Sequence, residues 1–410
     1  MKKIINSLLV IHLLSLAAET CACTTFILSG KYTPDGRPIL YKHRDTGTPH
    51  NALKYFNDGK YSYVGLVDAC ENCDSSVWGG YNSSGFAIMN SAAYNNNIGD
   101  TTKLKNREGI IMKLALMNCA SVDDFEKLLA GLPKPLGVDS NFGVIDACGG
   151  AAYFETGHYG FNKIDANNPE VAPFGYLIRT NHSFTGVIDK GSGYIRYATA
   201  GNVLYMASAT NNFEPQYLLN SISRNLTHSL TGVDLRDDLP VSGNRTDFRF
   251  FEDFIPRNTS ASVILVHGVS KNEDPANTMM WTILGFPLVT VAAPVWLSAG
   301  VPLPSVLTMK DNFHAPLCDA AMILKEKCYP VKRGSGLKYI NLAAVLNAEN
   351  SGIMQLLEPV ENEIFVRTRL LTEQMTKEKP KSGIIRDHYK WLDSHITESY
   401  RKLFSIEINN

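Results

Sequence analysis

Cys23-Thr24-Thr25-Phe26-Ile27-Leu28 is the stretch whose reading decides the fold. Apolar and β-branched residues follow one another without a helical period, so the segment through Gly30 predicts a strand. Thr33-Pro34-Asp35-Gly36 supplies Pro, Asp and Gly where a turn needs them. Pro38–Lys42 then gives a second short strand, and the two make a β-hairpin. With the turn centred on Pro34–Asp35, Cys23 is expected opposite Asp45 or Thr46, and Thr25 near His43 or Arg44. The charged block Lys42-His43-Arg44-Asp45 thereby returns to the start of the first strand. A solvated charged hairpin end is the bland outcome for such a block.

What precedes Cys23 explains why its position matters. Lys2 and Lys3 begin the chain, and Ile4–Ala18 is mostly apolar, diluted by Asn6, Ser7, His12 and Ser15. Thr20 and Ala22 are small residues three and one positions before Cys23. This is the pattern of a secretory leader, too short to span a bilayer well, and residues 1–22 are expected to be removed on export to the periplasm or the outside of the cell. Cleavage near Ala18 and lipidation of a cysteine are the rival readings. The residues ahead of Cys21 and Cys23 lack the Leu-Ala-Gly type of approach that lipidation uses.

A chain that begins at Cys23 has a thiol and a free α-amine on one carbon. Their reference pKa values, about 8.5 and about 7.7–8.0, are close enough for the amine to take the thiol proton near neutrality. In this arrangement Asp45 would orient the amine, and a cation from the same block would favour the thiolate and bind a substrate carboxylate.

Apolar residues make up 44% of the chain and the net charge is −1. A large core is therefore available, and charge gives no reason to expect nucleic acid or an anionic membrane as partner. Of the eight cysteines, Cys318 and Cys328 would close a short loop and are candidates for pairing. Cys70-Glu71-Asn72-Cys73 has the spacing of a redox or zinc half-site but lacks a second pair and a thioredoxin-like context, so a local disulfide or two free thiols is expected. No metal or cofactor is expected. Thr278 to Met309 carries no charge, yet Gly285, Pro287, Pro294, Gly300, Pro302 and Pro304 break it. Trp281–Leu284 and Leu288–Ala292 are accordingly read as buried strands rather than a membrane span.

Further strands are expected at Gly80–Ser91 around Asn82-Ser83-Ser84-Gly85, at Asn141–Asp146 with Ala151–Glu155, at Tyr176–Thr180 and at Ser262–His267. Helices are expected at Glu108–Cys119, from an N-cap at Ser121 to Leu129, at Tyr217–Leu226, and from about Glu349 to Phe404. Strands in pairs with helices between them give an α+β layered domain over residues 23–410.

These motifs resemble a family. Cys23-Thr24-Thr25, Pro34-Asp35-Gly36 and Lys42-His43-Arg44-Asp45 are similar to the opening of N-terminal-nucleophile (Ntn) cysteine amidohydrolases, in the branch of the acyl-coenzyme A:6-aminopenicillanic acid acyltransferases and choloylglycine hydrolases. Trp78–Ala87, Asn141–Glu155 and Arg179-Thr180-Asn181-His182 resemble the family's later motifs. The resemblance implies an αββα sandwich of two antiparallel sheets flanked by helices, with Cys23 as nucleophile and base. Asp45 matches the family's Asp in an Arg-Asn-x-Asp pattern. Strict alignment puts Lys42 at the Arg position, so Arg44 is taken as the catalytic cation and Lys42 as a substrate-binding one. Asn181 is implied near the oxyanion, and Asn90 is expected to contribute from the substrate side. Asn82 is expected to serve the turn and His182 to be structural.

The expected activity is hydrolysis of linear amides through a thioester. A non-catalytic exported or lipid-anchored binding protein on the same fold, and an acyltransferase, are the alternatives. The acyltransferase is disfavoured outside the cytoplasm, where acyl-coenzyme A is scarce. The partner is a small acyl amide or short peptide. Bile-salt amides, N-acyl amino acids, β-lactam side chains and small peptides all fit, and self-association is left open.

Overall fold

The computed structural model describes residues 22–241, 245–310, 312–377 and 382–408. The leader expected at 1–22 lies outside them except for Ala22. Strand β1 (Cys23–Leu28) pairs antiparallel with β2 (Ile39–Asp45), and both are buried along their whole length. Five further strands form the hairpin series β3 (Asn51–Phe56), β4 (Tyr63–Asp68), β5 (Gly79–Asn82), β6 (Ala87–Ala92) and β7 (Ser140–Ile145). With β8 (Ala151–Thr156) and β9 (Phe161–Asp165) they make a seven-stranded antiparallel sheet in sequence order. Next come β10 (Tyr176–Arg179) and two small ribbons that pair β11 (Thr227–His228) with β12 (Val233–Asp234) and β13 (Phe248–Phe250) with β17 (Tyr339–Asn341). The strands β14 (Ser260–His267), β15 (Met279–Leu284) and β16 (Ala293–Trp296) complete a six-stranded sheet in the order β10-β1-β2-β14-β15-β16.

The two sheets stack face to face, with β1 and β2 lying over β6 and β7. They approach closely at Gly143, where a Cβ would meet Met89 Cε and Ile27 Cγ2. The Tyr153 hydroxyl donates to Thr25 Oγ1 across the gap at 2.8 Å. Outside the seven-stranded sheet lie α1 (Glu108–Asn118) and α2 (Val122–Gly131). Ser121 caps α2, its hydroxyl accepting from Asp124 N, and Phe125 packs edge-on against Phe142 and Phe154. Outside the six-stranded sheet lie α3 (Tyr194–Thr210), α4 (Pro215–Leu218), α5 (Pro316–Cys328), α6 (Leu342–Val345), α7 (Ile353–Lys377) and α8 (Ser382–Phe404). The architecture is the expected α+β αββα sandwich.

Several local expectations change. The ladder pairs Cys23 with Arg44, Thr25 with Lys42 and Leu28 with Ile39. The expected turn over Thr33–Gly36 is present, Gly36 N donating to the Thr33 carbonyl at 3.2 Å, but it sits inside a longer loop, 29–38, and the centre of the ladder falls earlier than that turn suggests. Slipping the register by one residue moves every side chain to the other face, and the site below depends on this correction. Cys318 and Cys328 are both free. They sit at opposite ends of α5, where the rise over the intervening turns is about 15 Å, far beyond disulfide reach. Cys70 and Cys73 do form a disulfide. In the uncharged stretch Trp281–Leu284 belongs to β15, but Leu288–Ala292 is not a strand: Pro287 starts a short 3-10 turn, and the pairing resumes at Ala293. Among the described residues no helix is long and apolar enough to cross a membrane. Tyr217–Leu226 winds only in part, α4 running into a π turn over Leu219–Ser223.

Candidate active site

Cross-strand partners share a face, so the Cys23–Arg44 and Thr25–Lys42 pairs decide which side chains meet. Cys23, Thr25, Lys42 and Arg44 point between the sheets. Thr24, His43 and Asp45 point to the opposite, helix-covered face. The charged block is thus split by the strand period into two cations on one side and a His–Asp pair on the other.

On the inner side a cavity of about 560 Å³ is lined by Cys23, Lys42, Arg44, Trp78 and Asn90, and by Glu108, Asp139 and His158. Lys42 Nζ donates to Asn90 Oδ1 and to the Trp78 carbonyl, both at 2.6 Å. Asn90 Nδ2 in turn donates to Ser140 Oγ. Arg44 NH1 donates to Asn51 Oδ1 and Asp68 Oδ1, each at 2.8 Å. Its guanidinium lies 4.6 Å from the centre of the Trp78 ring, a cation–π contact. Trp78 Nε1 is fixed by Asp68 Oδ2. Both cations are therefore held in place before any ligand arrives.

The Cys23 nitrogen is held from the other direction. Cys23 N donates to Asn181 Oδ1 at 3.2 Å. Asn181 Nδ2 donates to the Ala92 carbonyl at 3.0 Å, which fixes the amide's orientation. Arg196, on α3, is the residue that sequence reasoning missed. Its NH1 donates to the Cys23 carbonyl at 2.6 Å and to Thr24 Oγ1, and its NH2 donates to Asn181 Oδ1 at 2.6 Å. Burial, together with the nearby Arg257 charge, lowers the Arg196 pKa to about 10. The group stays cationic at neutral pH and places its positive charge beside Cys23. No motif marks Arg196; only the three-dimensional return of α3 onto β1 reveals it.

Asp45 is fully buried on the helix side. Its carboxylate accepts from Arg257 Nε and NH2 at 3.0 and 2.8 Å and from Ser260 Oγ at 2.6 Å. Its backbone N–H donates to the Ala22 carbonyl at 2.7 Å. Burial opposes its charge, but Arg257 and then His43 outweigh that and hold the carboxyl well below its usual range. Asp45→Asn would leave Arg257 and Arg196 without their counter-charge. A loss of about 3–5 kcal/mol is expected on removing one partner of a buried pair, read from urea unfolding at pH 7. A carboxyl with a depressed native pKa stabilises above its unfolded value and loses that contribution as pH falls. The variant should therefore lack part of the wild type's acid sensitivity.

The remaining candidates serve structure. His182 Nδ1 lies within hydrogen-bond distance of Thr180 Oγ1 and the Ser192 carbonyl. Its ring stacks on Tyr194 at 4.1 Å, and burial lowers its pKa. Asn82 ties its turn to α1, donating to the Leu116 and Cys119 carbonyls and accepting from Ser84 and Phe86.

Residues 33–230 match the family model described as acyl-coenzyme A:6-aminopenicillanic acid acyl-transferase. Over that span the chain resembles this family of Ntn amidohydrolases. The match takes in Lys42–Asp45, Asn90, Asn181 and Arg196 and begins after Cys23. Three solved structures are similar at a TM-score of 0.40. A Caenorhabditis elegans ortholog of N-acylethanolamine-hydrolyzing acid amidase is 17% identical, covering 60% of this chain and 92% of its own. Penicillin V acylase from Agrobacterium tumefaciens is 14% identical, covering 68% and 92%. A variant of conjugated bile acid hydrolase from Clostridium perfringens is 12% identical, covering 68% and 94%. No curated protein matches the chain.

Proposed function

We propose that the protein is an exported hydrolase of linear amides. Its nucleophile is the Cys23 thiol, and its base is the α-amine freed when residues 1–22 are removed. The observation that carries this reading is the pairing of a thiol facing a cavity with a nitrogen hydrogen-bonded at Asn181 Oδ1. The amine takes the thiol proton, sulfur attacks the acyl carbon, and charge gathers on the former carbonyl oxygen. Asn181 and Asn90 supply amide groups for that oxygen, while Lys42 and Arg44 add positive charge beside it. Collapse expels the amine of the substrate, which takes the proton, and leaves a thioester on Cys23. Water, deprotonated by the α-amine, releases the acid. Asp45 acts behind this layer, neutralising Arg257 and fixing the end of β2 that lies beside the amine.

Two acidic residues of the cavity wall narrow the substrate class. Glu108 and Asp139 both line it, Glu108 within reach of the Lys42 charge, and Glu108 accepts from Asp139 N. Burial raises the Glu108 pKa, and burial with the neighbouring Glu108 charge raises Asp139 to about 7. Such a wall disfavours the long apolar acyl chain of a bile-salt or fatty amide and suits a substrate that carries an ammonium group, such as a small peptide.

The test uses a panel of amides with and without an amine on the acyl part. Acid-quenched samples are examined for an acyl adduct on Cys23 by peptide mass. An adduct from any member supports the thioester route; turnover without one rules it out. Within the panel, KM for amine-bearing members should fall as pH rises through about 7, because Asp139 then ionises. Glu108→Gln/Asp139→Asn should raise that KM about tenfold with little change in kcat. Equal KM values for charged and uncharged members would remove the ammonium reading and leave the amidase intact.

A further inference from the structure

We propose that His50, His314 and Asp319 form a binding site for a zinc-class divalent metal, outside the catalytic cavity. Three separate segments bring them together. His50 immediately precedes β3, His314 lies just ahead of α5, and Asp319 stands in the first turn of that helix. Asp319 Oδ1 is 3.1 Å from Nδ1 of His50 and 3.1 Å from Nδ1 of His314. The two imidazoles stack at 4.2 Å. One donor atom from each residue fits within a 4.8 Å group.

Among the described residues, no Lys or Arg pairs with Asp319. Two imidazoles and one carboxylate, a single negative charge in all, suit zinc, nickel or copper, whereas calcium and magnesium prefer oxygen alone. The present 3.1 Å spacing is near the roughly 3.3 Å that separates ligand atoms around tetrahedral zinc. To share one ion, the stacked rings turn about χ2. Each of the three side chains is about one-third exposed (33%, 37% and 34%), so that turn meets solvent rather than core. The open side leaves a coordination position for water. The Cys318 thiol is not part of the set: it is buried, donates to the Pro49 carbonyl and accepts from Asn51 N. An ion here would clamp the entry of β3 to α5. It would also lie one residue from Asn51, whose side chain holds Arg44.

The test is zinc binding to the chelator-stripped full-length protein by calorimetry, with magnesium as a parallel titrant. Wild type should take up one zinc per chain and no magnesium, and its thermal midpoint should rise with zinc. His50→Ala/His314→Ala should lose this uptake, and Asp319→Asn should bind at least about tenfold more weakly. Cys23→Ala should bind as wild type does, which separates this site from zinc capture by the nucleophilic thiol. Cobalt(II) added to wild type gives a check that needs no variant: visible bands without sulfur charge transfer are expected for nitrogen and oxygen ligands. Absence of zinc uptake by wild type, uptake unchanged in the double variant, or a sulfur charge-transfer band would each overturn the proposal. The outcome is independent of whether the protein cleaves amides.

Discussion

Cys23→Ser is expected to reduce turnover of every amide the protein cleaves by on the order of 10³-fold or more. A sulfur nucleophile is reactive near neutrality, and Arg44 across the ladder and Arg196 at the carbonyl place positive charge beside it. A hydroxyl has no comparable anion near neutrality. The substitution is nearly isosteric at a residue that is 3% exposed, so far-UV circular dichroism and the melting temperature should stay close to wild type. Folded protein with wild-type turnover would end the assignment of Cys23 as nucleophile.

Protein that keeps residues before Cys23 is expected to be inactive until trimmed. The nitrogen of an internal cysteine is an amide and cannot accept a proton. With Ala22 still attached, Cys23 N donates to Asn181, but only a free amine has a lone pair to offer the thiol. The check is an uncleaved form verified by intact mass, assayed before and after removal of residues 1–22. Activity that appears only on trimming supports the amine as base. Full activity beforehand would mean that another group takes the proton.

Much of this site was legible in the sequence because it depends on the shortest-range information. The apolar, β-branched strand at Cys23 and the returning charged block are local patterns, and paired strands separated by helices give an α+β layered domain; the αββα sandwich and the place of Asn181 came from the family resemblance. What failed was the count through the 29–38 loop. Its turn residues are real, but Ser29, Tyr32 and Gly36 make separate hydrogen bonds to Gly175, Ser29 and Thr33, so no tight turn sets the register. Arg196 was hidden for a different reason. Tyr194–Thr210 carries little amphipathic contrast, so neither the helix nor its contact with β1 is written in its periodicity. The His50–His314–Asp319 cluster was hidden because His50 is far along the chain from His314 and Asp319, which by themselves make no ligand-spacing motif.

β2 lies between β1 and β14, and its register is fixed by both: Arg44 faces Cys23 on one side and Ser262 on the other. The loop that joins β1 to β2 is thereby relieved of the duty of aligning the strands. Residues added to or deleted from it should be absorbed locally, because sliding β2 would break a second ladder and carry Lys42 and Arg44 out of the cavity. The segment from Asn258 to Ser262 has no such latitude. The bulge between Ser260 and Ser262 seats one serine on Asp45 and the other on Asn51, so a single-residue change there would unseat both layers of the site at once.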